Sequence, residues 1–162
     1  MRKLALVLIA LILSACSAPK GSDQSAFTWQ ISAKEVVVAK VLSDKATVTH
    51  YDGSSEIVIV TDTPSSGKVY VLIHLDINKA KAGGSAFNWD KLTLVDTNKI
   101  SHARLNDDFL TRHNKDRLPG ITLSLGDNDG WIAFEVDTAV SAKTMTLTYQ
   151  ADEGINKVLI NP

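Results

Sequence analysis

Apolar and polar side chains alternate along most of the chain after residue 26, and this two-residue period is typical of β-strands. The longest such stretch is Lys68–Asn78, in which both faces carry large side chains. One face holds Val69, Val71, Ile73, Leu75 and Ile77, and the other holds Tyr70, Leu72, His74 and Asp76. In Lys143–Tyr149 the inward positions are Met145, Leu147 and Tyr149, with threonines between them. Both stretches are predicted strands with one face in a core.

Further strands are predicted where short apolar runs stand between turn-forming residues. They are Phe27–Ile31, Glu35–Leu42, Thr47–Tyr51, Glu56–Thr61, Leu92–Val95, Ile121–Leu125, Trp131–Val136 and Lys157–Ile160. Trp131–Val136 is apolar on both faces until Glu135, which indicates a central strand with Trp131 inside the core. The turn signals are Asp52-Gly53, Pro64 with Gly67, Gly83-Gly84, Asp96 with Asn98, Pro119-Gly120 and Asp129-Gly130.

A helical pattern is limited to one or two turns near Asn106–Arg112. Many short strands separated by turn residues predict an all-β domain, either a sandwich or a barrel. The 162 residues suit a single domain with a substantial core, which we expect to span residues 27–162.

The chain begins with the pattern of an export signal. Arg2 and Lys3 precede an unbroken apolar run from Leu4 to Leu13. This run is too short to cross a bilayer as a helix, which requires about 20 residues. We therefore expect residues 1–15 to be a signal peptide. Residues 16–26 then form a flexible tether, because no large apolar residue follows until Phe27.

The quartet Leu13-Ser14-Ala15-Cys16 resembles the lipobox of bacterial lipoproteins, and Cys16 is the only cysteine in the chain. The resemblance implies cleavage between Ala15 and Cys16 and a covalent lipid on the Cys16 thiol. The protein is then exported and lipid-anchored to the cell membrane or outer membrane. Ser17 in place of an aspartate favours, by the same resemblance, the outer membrane or the outer face of a one-membrane cell. The alternative is an ordinary cleaved signal with a cysteine nearby by chance.

The net charge and the cysteine count exclude several classes of partner and cofactor. With 17 Lys+Arg, 18 Asp+Glu and a formal net charge of -1, the chain lacks the basic surplus that nucleic-acid binding requires. One cysteine excludes an intramolecular disulfide framework and a cysteine-based zinc cluster. We therefore expect no nucleic-acid partner and no cofactor other than the lipid on Cys16.

Four segments resemble successive parts of one family of domains. Lys68–Asn78 is similar to its first core strand, Phe87–Asp96 to its next block, Leu125–Val136 to its late hairpin and Thr146–Tyr149 to its closing strand. The family is an immunoglobulin-like domain of unknown function found in many bacterial lipoproteins, and a mycobacterial secreted immunogenic antigen shares its fold. The resemblance covers roughly residues 34–149 and implies an immunoglobulin-like β-sandwich without an agreed activity, so it assigns no catalytic residue. Here Gly126-Asp127 stands where the family often has Pro-Gly.

The stretch from Arg104 to Arg117 combines charges of both signs with Phe109 and Leu110. It is expected to be either a solvated connection that packs through Phe109 or a loop that contacts a protein partner. The candidate contact residues are Asp107, Asp108, Arg112 and His113, together with Trp89 from the Gly83–Trp89 loop.

Two groups of residues raise the question of metal binding. Asp127-Asn128-Asp129-Gly130 is typical of a tight turn, but carboxylates also bind hard cations, so Asp127 and Asp129 are candidate ligands. The histidines are expected to be separate surface or boundary residues, because no two of them have a recognised metal-ligand spacing. The alternative is a transition-metal site that forms across strands. The four are His50, His74, His102 and His113.

No catalytic motif for a nucleophilic serine, a zinc protease or a phosphate-binding loop occurs in the sequence. A Ser/His/Asp triad built from distant positions is the enzymatic alternative, because triads are geometric. We expect a non-enzymatic, lipid-anchored envelope protein that presents a β-sandwich to a protein partner. The alternatives are a lipoprotein that binds a small ligand or a metal, and a surface exclusion or defence lipoprotein from a mobile element.

Overall fold

The computed structural model describes residues 24–83, 85–116 and 126–162, and within these ranges the chain forms nine strands. They are β1 (Trp29–Ala39), β2 (Leu42–Thr49), β3 (Ser55–Asp62), β4 (Lys68–Lys79), β5 (Leu92–Val95), β6 (Ser101–His102), β7 (Gly126–Asp137), β8 (Met145–Ala151) and β9 (Gly154–Ile160). A single turn of 3-10 helix, Trp89–Lys91, precedes β5, and a short helix, α1 (Asp107–Arg112), precedes β7.

Several predicted features lie outside the described residues. They are the signal peptide with Ala15 and Cys16, the tether up to residue 23, the Pro119-Gly120 turn and the Ile121–Leu125 strand. The described contacts begin at Gln24, whose side-chain amide exchanges two hydrogen bonds with the backbone of Ile31. The chain is thus already held against β1 three residues before Phe27.

The strands form three antiparallel sheets, with the orders β1-β4-β7, β2-β3 and β6-β5-β8-β9. The first and third sheets pack face to face, because side chains from both form one buried cluster. The first sheet contributes residues such as Val71 and Phe134, and the third contributes residues such as Leu94 and Leu147. Two packed sheets make the domain a β-sandwich, so the all-β prediction is confirmed. No helix in the described residues is long and apolar enough to span a bilayer.

Strand β4 is buried on both faces over much of its length, whereas the sequence predicted one face in a core. Val69, Val71, Ile73, Leu75 and Ile77 face the sandwich interior. On the other face Tyr70 and Leu72 belong to a second buried cluster with Phe109 and Leu110 of α1. The helix therefore covers part of the outer face of this sheet.

Strand β1 is continuous where the sequence predicted two strands, Phe27–Ile31 and Glu35–Leu42. Its pairing with β4 shifts register between Ala33 and Glu35, so Lys34 is an extra residue on one side of the ladder. The β-bulge changes which side chains point inward, and this broke the alternation that the sequence pattern depends on.

The turn predicted at Asp129-Gly130 is wrong, because both residues lie inside β7. Asp129 is paired with Asp76 of β4 and Gly130 with Leu75. Turn propensity is a local preference, and here the long ladder with β4 overrides it. The strand predicted over Thr47–Tyr51 is also displaced: β2 ends at Thr49, and His50–Ser54 form the turn.

The prediction that Trp131 lies inside the core is wrong as well. The side chain is half-buried and packs at the margin of the second cluster, on the outer face of the sheet. Its ring stacks on that of His74, with 4.9 Å between centroids and 8° between planes, and the Lys115 ammonium lies 4.6 Å from the ring centroid. A polar ring and a cation on its flat faces let the indole sit at this boundary.

Candidate functional site

Helix α1 begins where the sequence supplies a cap. The Asn106 side chain accepts a hydrogen bond of 3.0 Å from the Phe109 N–H, which is the usual role of asparagine at this position. Asp107 and Asp108 lie in the first turn and Arg112 in the last, so their charges complement the helix dipole. The helical turn predicted near Asn106–Arg112 is confirmed.

The helix docks on β4 and β7 through its apolar side chains. Phe109 and Leu110 are 5% and 1% exposed, and the Phe109 ring lies 4.8 Å from the Tyr70 ring. The chain before the helix is also fixed, because the Leu105 N–H donates a 2.7 Å hydrogen bond to the Ala133 carbonyl. The helix thus occupies a defined position on the sheet.

His113, the residue that caps α1, is the most constrained polar residue of this region. Its side chain is fully buried, and its Nδ1 lies 2.8 Å from Oδ2 of Asp44 while its Nε2 lies 2.9 Å from Oδ2 of Asp62. Ionised carboxylates only accept hydrogen bonds, so both contacts form together only when both ring nitrogens carry hydrogen. Asp44 lies on β2 and Asp62 on β3, so a single imidazole joins the helix to both strands of the hairpin.

Two neighbours of His113 strengthen this junction. Arg112 lies 3.3 Å from Oδ2 of Asp62, and the Asn114 side chain donates a hydrogen bond to the Lys45 carbonyl on β2. The base of the β2–β3 hairpin is therefore fixed by three consecutive residues at the end of α1. We call the three residues His113, Asp44 and Asp62 the hairpin clasp.

The far end of the hairpin closes in a tight turn. The His50 N–H donates to the Ser54 carbonyl and the Gly53 N–H donates to the His50 carbonyl, with Gly53 in the left-handed region at φ 83°. This is a three-residue loop with a glycine bulge. Asp52 accepts hydrogen bonds from the Ser54 hydroxyl and N–H, and these lower the pKa of the Asp52 carboxyl.

The outer face of the hairpin, turned away from the clasp, exposes two adjacent isoleucines. Ile57 is 72% and Ile59 is 71% exposed, although both lie in a regular strand. Cross-strand contacts of Ser43 with Thr61 and of Thr49 with Ser55 lie on the same face. The hairpin therefore presents two exposed isoleucines bordered by hydroxyl groups and by the exposed Lys45, which pairs directly with Ile59.

The structure gives most of the predicted contact residues internal partners. His113 is buried in the clasp, and Arg112 contacts Asp62. Asp107 forms a 2.8 Å ion pair with Arg104, whose guanidinium lies 5.5 Å from the centroid of the half-buried Trp89 ring. Of the five residues, Arg112 and Asp108 are exposed.

Asp129, a candidate cation ligand, lies beside positive and polar groups. Its Oδ2 is 3.6 Å from the Lys34 ammonium and 3.4 Å from His74, and Lys34 also contacts Asp76. Asp127 pairs with Asn78 through the backbone of β7 and β4. Across the described ranges no three side chains of His, Cys, Asp or Glu are grouped as a metal site would require.

His102 belongs to a separate structural turn between β5 and β6. Its Nε2 lies 3.1 Å from Asp96, and the other oxygen of Asp96 accepts hydrogen bonds from the N–H groups of Asn98 and Ile100. Burial acts to raise the pKa of Asp96, but these hydrogen bonds outweigh it and hold the pKa below its ordinary value. The fourth histidine, His50, lies 3.4 Å from Glu56.

Reasoning from the sequence did not identify Asp44, Asp62, Ile57 or Ile59. The run Ile57-Val58-Ile59-Val60 stands out in the sequence as four consecutive β-branched apolar residues, but the exposure of half of them follows only from the separate sheet that β2 and β3 form. The clasp had no such signal. Asp62 and Asp44 are 51 and 69 positions from His113 in the chain, and only the fold brings the three residues together.

Comparison with known proteins adds one structural likeness. No protein-family model matches the chain, and no curated protein matches its sequence. An uncharacterized β-sandwich protein from Clostridium difficile 630 is similar in structure, with a TM-score of 0.42 and 12% sequence identity over 83% of this chain and 86% of that chain.

Proposed function

We propose that this protein is a non-enzymatic envelope lipoprotein, anchored through a lipid on Cys16, whose immunoglobulin-like sandwich presents the β2–β3 hairpin to a protein partner. The lipobox and the family resemblance support the anchor and the immunoglobulin-like topology. The packed sheets support a rigid scaffold. The observation that carries the interaction function is the distribution of exposed apolar side chains.

Exposed apolar residues are concentrated on and beside the hairpin. Of the nine large hydrophobic side chains that are exposed in the described residues, six lie between residues 38 and 59. They are Val38, Val41, Val48, Tyr51, Ile57 and Ile59. Isolated exposed apolar residues are normal on protein surfaces, but neighbouring ones on one face indicate an interaction site. Ile57 and Ile59 are such neighbours on the outer face of the hairpin, whereas Val48, which pairs with Glu56, lies on its other face. The set does not include the predicted contact residues, although Arg112 and His113 contact the base of the same hairpin from α1.

The position of the hairpin suits presentation away from a membrane. Trp29 at the start of β1 pairs with Lys79, whereas Ala39 at its end pairs with Tyr70 near the start of β4. The hairpin connects Ala39 to Lys68, so it leaves the sandwich at the end opposite the N-terminal segment. The eleven residues of β1 span about 36 Å at 3.3 Å per residue. A lipid at Cys16 would thus hold the other end of the domain.

The clasp supports binding by limiting motion of the hairpin. A free two-stranded ribbon is marginally stable in water and would lose conformational entropy on binding. Here both strands are tied to α1 at their base through Asp44 and Asp62. The hairpin is consequently presented in one orientation, which lowers the entropic cost of association.

Site-specific photo-crosslinking in the native envelope tests this proposal. A photoreactive amino acid at Ile57 of the full chain should give a discrete crosslinked protein band, because this side chain lies in the proposed contact surface. The same amino acid at Leu159, which is 44% exposed on β9, is the matched control and should give none. Equal crosslinking at both positions, or no band from Ile57, would reject the hairpin as the contact surface.

A further inference from the structure

Within the described residues, no strand pairs with the outer edge of β3. In the described part of the chain β3 pairs with β2 alone, and the two strands form a sheet of their own. The other edge of the hairpin, on β2, is partly occupied, because the Lys45 carbonyl accepts a hydrogen bond from Asn114. An open edge of eight residues is a template for strand pairing unless a charge, a proline or a bulge protects it.

Strand β3 lacks those protective features at its centre. Its central residues are Ile57-Val58-Ile59-Val60, all β-branched and apolar, and its charged residues Glu56 and Asp62 stand near the ends. Along an antiparallel strand, the N–H and C=O groups of successive residues point alternately to one edge and to the other. His50 and Ser54 form a hydrogen-bonded pair at the turn, and counting from them the N–H and C=O groups of Ser55, Ile57, Ile59 and Thr61 point outward.

We infer that this edge pairs with the same edge of a second copy of the chain, antiparallel and centred on Val58. In that register Ile57 of one copy lies opposite Ile59 of the other, so four isoleucines form one apolar patch on the joined outer faces. Glu56 lies opposite Val60. The inference rests on the proposed function, since it names the partner of the same hairpin.

The charges on β3 select this register. A pairing centred on Ile59 would set Glu56 of one copy directly opposite Asp62 of the other, and like charges at such positions are destabilising. A pairing centred on Ile57 keeps fewer residues in the ladder. Only the register centred on Val58 both avoids the repulsion and uses most of the strand.

The area of one strand edge limits the strength of this contact. Stable dimers usually bury at least about 1,200 Å² in total, and a single added strand supplies less. Anchoring two copies in one membrane raises their effective concentration, so the pairing is expected in the envelope rather than in dilute solution.

Disulfide trapping in the envelope tests the register directly. Val58 would face its own copy as a non-hydrogen-bonded pair with about 4.5 Å between Cα atoms, which is within disulfide range. V58C in the full chain should therefore give a covalent dimer on mild oxidation. V60C is the matched control, because Val60 has the same half-buried environment but would lie about 13 Å from its counterpart, four residues along the ladder. The parent chain, with Cys16 alone, reports any dimer formed through that thiol.

Charged variants of the V58C chain distinguish the proposed pairing of two β3 strands from random collisions between copies. I57K/I59E places lysine opposite glutamate in both crossings and should keep the yield of dimer within about twofold of the V58C chain. I57K/I59K places like charges together and should lower the yield at least tenfold. A V60C yield equal to that of V58C, or no V58C dimer, overturns the inference. If V58C gives no dimer while the probe at Ile57 crosslinks a different protein, the proposed function stands and the second copy is the wrong partner. If neither the V58C disulfide nor the Ile57 crosslink forms, the inference and the proposed function are both wrong.

Discussion

His113 at the end of α1 and Asp62 on β3 are joined by a hydrogen bond of 2.9 Å, although they are 51 positions apart in the sequence. The same imidazole also contacts Asp44 on β2 at 2.8 Å. A buried side chain from a different part of the chain thus helps to set the orientation of an exposed hairpin, together with its neighbours Arg112 and Asn114.

Replacing this histidine should destabilise the domain. In H113A both carboxylates lose a partner beside a buried space, and we expect the free energy of unfolding to fall by about 2–3 kcal/mol. Urea titration of the folded protein measures the change. H50A is the control, because His50 is half-exposed and its loss should cost less than about 0.5 kcal/mol. Equal losses in the two variants would show that the clasp has no special role.

The difference in burial between Leu110 and Ile57 predicts different results for two apolar truncations. L110A removes a side chain that is 1% exposed and should lower the free energy of unfolding by about 2–5 kcal/mol. I57A removes one that is 72% exposed and should change it by less than about 0.5 kcal/mol. Urea titration compares them. A large loss in I57A would mean that this face is covered within a single chain.

The β5–β6 turn should contribute to acid sensitivity. Because the pKa of Asp96 in the folded protein lies below its ordinary value of 3.8, the stabilisation is present above that value and is lost as the pH falls through the folded pKa. In D96N this contribution is absent, so stability should decline less steeply between about pH 5 and pH 3. Thermal unfolding across this range measures both slopes. Parallel curves for the two proteins would contradict the assignment.

The tip of the hairpin depends on the left-handed backbone of Gly53. G53A should lower the free energy of unfolding by about 1 kcal/mol, because alanine is strained at this φ even though no atom crowds the position. G53N should cost less, since asparagine tolerates the left-handed region better. If denaturant titration ranks the two variants the other way, the turn has a different conformation in solution.

Cys16 should decide where the protein is found. In C16S we expect an unprocessed precursor, because the predicted cleavage and the lipid both require the thiol. Cell fractionation with immunoblotting measures processing and membrane attachment together. S17A should behave as the parent chain does. A C16S protein that is still shortened and membrane-bound would refute the lipid anchor.

The sequence predicted correctly those strands in which apolar residues alternate with polar ones and all the apolar residues face one core. In Met145–Tyr149 inward and outward residues alternate without interruption, and all three inward side chains are buried. The prediction from sequence was wrong where polar side chains contact residues of neighbouring strands. Asp129 by itself is typical of a turn, but within the sheet its carboxylate lies beside the Lys34 ammonium and the His74 ring.

The candidate surface was harder to predict than the fold. Phe109 and Leu110 indicated that the charged loop docks, and they do pack on the sheet. Nothing in the local sequence showed that His113 would be enclosed by two carboxylates. The exposure of Ile57 and Ile59 likewise depends on the hairpin forming a separate sheet, which is a property of the topology.

The bulge at Lys34 makes the number of residues in β1 as important as their chemistry. Ile31 and Ala33 before it and Val36 after it all pack against the sandwich interior, so inward positions are odd-numbered on one side and even-numbered on the other. A related chain that is one residue shorter here would have to slide half of the strand by one position along β4 or turn its apolar side chains outward. Insertions and deletions in this strand should therefore be tolerated less than substitutions.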